Sequence, residues 1–93
     1  MSSRRNQTIA IARFLVYKAQ LNERLDGMSD EDYIRHPIGY KIGMYVEDLM
    51  KYCTEETVDK VLRNQRGLIL RLGIEQLSIL AGMPYEKEDN NHA

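Results

Sequence analysis

The stretch TEETVDKVLRNQRGLILRLGIEQLSILAG, residues 54–82, decides the fold. Thr54 followed by Glu55 and Glu56 has the form of a helix start. The hydroxyl can accept from free amides of the first turn, and the acids complement the positive end of the helix dipole. Gly82, with Pro84 two residues on, has the form of a stop, because glycine tolerates the left-handed conformation past a helix end and proline does not continue a helix. Between these signals Val58, Val61, Leu62, Gln65, Leu68, Ile69, Leu72, Gln76, Ile79 and Leu80 recur at three- and four-residue spacing and hold one helical face. The spacing predicts one continuous helix over about residues 54–81, roughly 40 Å long. Gly67 and Gly73 weaken it. The competing reading is a break at Gly67 into two helices, although glycine is tolerated inside a helix at about 1 kcal/mol.

A second apolar row, Leu70, Ile74, Leu77 and Ala81, lies nearly opposite the first. From Leu68 to Leu80 only Arg71, Glu75 and Ser78 mark a polar edge, and a helix apolar almost all round is one buried on several sides. A chain of 93 residues has little polypeptide with which to wrap it. The expectation is therefore that the surplus row meets another chain, since an exposed patch of that kind invites aggregation.

The segments upstream read as helices too. From about Ile38 to Cys53, the residues Ile38, Ile42, Tyr45, Val46, Leu49, Tyr52 and Cys53 form one stripe, opposite Tyr40, Lys41, Glu47, Asp48 and Lys51. Ser29-Asp30-Glu31-Asp32 opens a short helical turn that Pro37 ends. Before it, a helix over about Thr8–Asp26, capped by Thr8 or Asn6 and stopped at Gly27, carries Ala10, Ile11, Phe14, Leu21 and Leu25 on one side and Ala12, Leu15, Val16 and Ala19 on another. Only a strip around Arg13, Gln20 and Arg24 is polar. Leu15, Val16 and Ala19 are thus expected beside the surplus row of the last helix in the contact with a partner. The competing reading packs the two surplus rows on each other within one chain.

The fold class is accordingly all-α: one domain over residues 1–93, with three long helices and a short helical turn, flexible ends at about 1–6 and 85–93, and packing as an intertwined or side-by-side helical dimer. A two-fold dimer is the commonest way of covering such a surface.

Composition narrows the function classes. The net charge of −1 removes the broad attraction to phosphate that a general nucleic-acid binder needs. A single cysteine, Cys53, forms no internal disulfide and points to a reducing, cytoplasmic setting. The alternative is mitochondrial, because Arg4, Arg5, Arg13 and Lys18 precede the first acid, Glu23, as in a presequence. Charges interrupt every apolar run well short of the roughly 20 residues a membrane helix needs.

Chemistry-bearing patterns are sparse. Cys53 falls on an apolar stripe, and His36 sits in a turn beside Pro37, so neither reads as nucleophile or base. Asp30, Glu31 and Asp32 lack the spacing and glycine of a calcium loop, and two histidines with one cysteine are too few for zinc. The expectation is a non-enzymatic protein–protein interaction module, an adaptor, inhibitor or regulator, with no cofactor, no small-molecule substrate and no membrane. Leu70, Ile74, Leu77, Ala81, Leu15, Val16 and Ala19 are its expected contacts. The alternative is a DNA-binding regulator with a helix-turn-helix-like element at about 40–66, using Lys60, Arg63, Asn64, Arg66 and Arg71. Against it, Glu55, Glu56 and Asp59 bring negative charge to the end of the helix that would approach phosphate.

Overall fold

The computed structural model describes residues 3–25 and 29–83, and within these the side chains of all but Asp30, Tyr33, Ile34, Ile38 and Gly39. Seven helical segments follow one another: α1 Arg4–Arg24, α2 Asp30–Arg35, α3 Pro37–Tyr40, α4 Ile42–Tyr52, α5 Glu55–Arg63, α6 Gln65–Leu72 and α7 Ile74–Ala81. Among the described residues there is no strand, and the chain is all-α. Gly27, Pro84 and the 85–93 tail lie outside the described residues.

The first helix starts a turn earlier than the apolar periodicity indicates. Ser3 is its cap, with the hydroxyl accepting from the Asn6 amide at 3.1 Å, so Arg4, Arg5 and Asn6 belong to the helix and not to a loose end. The same device opens α2 and α5. Ser29 accepts from the Asp32 amide at 3.2 Å, and Thr54 from the Thr57 amide at 3.2 Å. Each hydroxyl satisfies a first-turn donor that has no partner within the helix.

The expected helix over Ile38–Cys53 is divided by a turn at Lys41, where the Met44 amide donates to the Lys41 carbonyl at 3.0 Å in a tighter loop. Pro37 is the first residue of α3, a position where its missing N–H costs nothing.

The expected continuous helix over 54–81 is corrected more deeply, for it breaks at Asn64 and at Gly73 and not at Gly67. Asn64, at φ −113° and ψ 17°, departs from helical geometry. Its side-chain amide donates to the Lys60 carbonyl at 2.9 Å, while that of Gln65 donates to the Leu62 carbonyl at 2.9 Å. These side chains serve carbonyls at the kink. Gly73 makes the sharper break. At φ 82° and ψ 151° it lies where side-chain-bearing residues are strained, and it closes α6 and opens α7 at once.

The core is organised around α1, which packs chiefly on α7 and on α4, and less on α6. Ala10, Ala12, Phe14, Leu15 and Val16 meet Leu49 of α4, Val58 and Val61 of α5, and Leu77 and Ala81 of α7. A second cluster at the other end of α1 holds Tyr17, Leu21 and Leu25 against Ile42 and Tyr45, with the Tyr17 and Tyr45 rings stacked at 4.6 Å between centroids. α7 ends in a Schellman motif: the Gly82 amide reaches the Ile79 carbonyl and the Met83 amide the Ser78 carbonyl, both at 3.2 Å. The Arg13 Nε then donates to the Ala81 carbonyl at 3.0 Å, tying α1 to the end of α7.

Candidate interaction surface

The break at Gly73 changes which apolar row faces inward. Along α5 and α6 the main row serves, with Val58 and Val61 buried and Leu62, Leu68 and Ile69 packed against the core. Along α7 the second row serves, with Leu77 and Ala81 buried, while Ile79 of the main row is 74% exposed. A period of 3.6 residues fixes relative facing only within an unbroken helix.

Of the seven expected contact residues, Leu15, Val16, Ala19, Leu77 and Ala81 therefore lie in the chain's own core. Leu15 and Val16 of α1 share one core cluster with Leu77 and Ala81 of α7, which lies directly along α1. Ile74 is half-buried. Leu70 stands apart from the rest, at 84% exposure.

Leu70 belongs to α6, a helix with four aliphatic residues in eight and none of them buried. Leu68 and Ile69 are half-covered from below, Leu72 is 40% exposed, and Arg66, Gly67, Leu70 and Arg71 face away from the core. An open concavity of about 470 Å³ runs along α5 and α6, in which Val61, Gly67 and Leu68 are rimmed by Thr57, Lys60, Asn64 and Arg71. A Cβ added at Gly67 would meet nothing within 4 Å, so the glycine leaves a shallow gap in this wall. Tyr40, set by periodicity opposite the apolar stripe, is exposed, and so are Met44 and Met50, which periodicity leaves unassigned. The available signal was that these apolar residues interrupt the polar face of Lys41, Glu47, Asp48 and Lys51.

The cations of the DNA-binding alternative are spread over two helices. Lys60 pairs with Glu56 at 3.3 Å, and Arg63 pairs with Asp59, both one helical turn apart on α5. Arg66 and Arg71 lie on α6 past the Asn64 kink. Glu55, Glu56 and Asp59 line their own shallow hollow at the start of α5, the end that a recognition helix presents to DNA.

Cys53 is half-buried at the end of α4, and burial pushes its thiol above the ordinary value of 9.0, away from the reactive thiolate. Among the described residues no group of three or more His, Cys, Asp or Glu is placed to hold a metal ion, and no helix is long and apolar enough to cross a membrane. Compared with protein-family models, with curated proteins and with solved structures, the chain matches none.

Proposed function

We propose that this chain is a non-catalytic protein-interaction module that associates with a second copy of itself through α6. The observation that carries the reading is Leu70, an aliphatic side chain 84% exposed on a helix none of whose residues is buried, together with an open groove along α5 and α6 lined by Val61, Gly67 and Leu68. Knob and groove on one surface are what a two-fold contact requires, because each partner offers the same patch and receives the other's.

Burying one leucine contributes about 1.5–3 kcal/mol, and two-fold symmetry counts it twice, giving about 3–6 kcal/mol. Joining two chains costs about 4–15 kcal/mol. The leucines thus need the groove walls and Leu72 as well, and association is weak, about micromolar or weaker. An adaptor or regulator that assembles and separates with concentration fits that range. The nucleic-acid reading ranks lower on charge: two of its four cations are already paired with carboxylates of their own helix.

Light scattering coupled to size exclusion, run on the full chain over a concentration series, tests this. The expected result is a dimer at high concentration that Leu70→Glu converts to a monomer with an unchanged helical spectrum. A wild-type chain that stays monomeric throughout overturns it.

A further inference from the structure

A second concavity lies at the opposite end of the core from the α4 contact with Tyr17, where the first turns of α1 meet the last turn of α7. We infer that this cleft is a docking site for an acidic peptide segment of a partner protein that carries an aliphatic anchor. The inference is independent of self-association through α6.

The cleft encloses about 600 Å³. Arg4, Arg5 and Arg13 reach it from α1, and Ile9, Ile79 and Leu80 supply its apolar surface; among the described residues none lining it is acidic. The described residues give Arg4 and Arg5 no carboxylate partner, and the pairs Arg35–Glu31, Lys60–Glu56 and Arg63–Asp59 lie elsewhere, on α2 and α5. The first turn of α1 has no acid either, so the positive end of that helix adds to the arginines rather than being offset.

The end of α7 brings negative carbonyls to the same place, but those of Ser78, Ile79 and Ala81 are already engaged. The Gly82 and Met83 amides take those of Ser78 and Ile79, and Arg13 takes that of Ala81. That last bond has a further consequence. It holds Arg13 by its Nε, so the plane of the guanidinium is fixed before a ligand arrives, and planar two-pronged recognition of a carboxylate is what arginine does better than lysine.

The apolar part selects among anions. Ile79 is 74% exposed on the wall of a cleft lined with arginine, so a ligand there has aliphatic surface to cover as well as charge to meet. A free inorganic anion would use the arginines and leave Ile79 wet. A leucine or isoleucine set between acidic residues satisfies both.

The test uses the full chain and a fluorescein-labelled peptide, Glu-Glu-Leu-Asp-Glu-Leu, read by anisotropy at about 150 mM salt, where only charges within about 8 Å interact strongly. The expected result is saturable binding that Arg4→Glu with Arg5→Glu weakens by roughly tenfold. Both side chains are exposed, so that variant keeps its helical spectrum. Ile79→Ser weakens binding too, and replacing both peptide leucines by serine does the same. No saturable binding overturns the proposal. So does equal affinity for the serine peptide, which would mean attraction to any polyanion, and so does binding to phosphatidylserine vesicles with none to the peptide. Leu70→Glu leaves peptide binding unchanged, which separates this outcome from the fate of the α6 contact.

Discussion

α1 and α6 are both apolar helices, yet one is buried on several sides and the other has no buried residue at all. In α1 the buried positions run almost without interruption from Ala10 to Leu21. In α6 the sequence Leu68-Ile69-Leu70 is at least as apolar, and its last residue, Leu70, points into solvent. The difference lies in neighbours. α1 is flanked by α7 and α4, which cover two sides, whereas α6 touches α1 with one side only and sits at the margin. Apolar residues all round a helix thus have two meanings, a central position within one molecule or a contact face at its edge, and position decides between them.

The sharpest way to break this contrast is truncation at its two poles. Leu15→Ala should lower stability by about 2–5 kcal/mol, because it removes a fully buried side chain from a packed site. Leu70→Ala should stay within about 0.5 kcal/mol in the monomer. Urea unfolding at dilute concentration measures both, and equal losses would dissolve the distinction between centre and edge.

Next in size is the device that separates the two helical faces. Gly73→Ala should cost about 1–3 kcal/mol, since its φ of 82° and ψ of 151° strain any residue with a Cβ. Gly67→Ala should do the reverse and gain about 0.5–1 kcal/mol, because Gly67 is helical and a Cβ there meets open space. That methyl would also narrow the groove along α5 and α6, so thermal stability should rise while self-association falls. If both substitutions shift the melting temperature in the same direction, the two glycines do not differ in the way described.

The smallest expected effect concerns Cys53. Burial raises its thiol above 9.0 in the folded chain, so the neutral form is favoured by folding. The stabilisation is complete at pH values below the unfolded-state value and is lost as pH climbs through the folded-state value. Wild type should therefore lose slightly more stability above about pH 9 than Cys53→Ala does. Parallel pH profiles for the two chains would show that the thiol contributes nothing.

Local signals in the sequence were read well where a short-range hydrogen bond creates them. The cap at Thr54 and the stop at Gly82 need only the residues around them, and both are present in the structure. The start of α1 was placed late because Ser3 lies ahead of the first apolar residue, where periodicity is silent. The break at Asn64 was missed because asparagine is also compatible with helix interiors, and it acts here by turning its side chain onto a backbone carbonyl. The expected contact surface fared unevenly for one reason. Leu70 and Leu77 were assigned to one row on the assumption of a straight helix, and Gly73 turns them to different surroundings.

By itself the sequence determined that this chain is all-α, where several of its helices begin and end, and which residues share a face over any two or three turns. Those are consequences of backbone hydrogen bonding and a 3.6-residue repeat, which act over short distances. The tertiary structure alone decided which face points inward in each segment. The break at Gly73 resets the rotation of the next helix, and the new rotation is chosen by what α1, far away in the chain, can pack against.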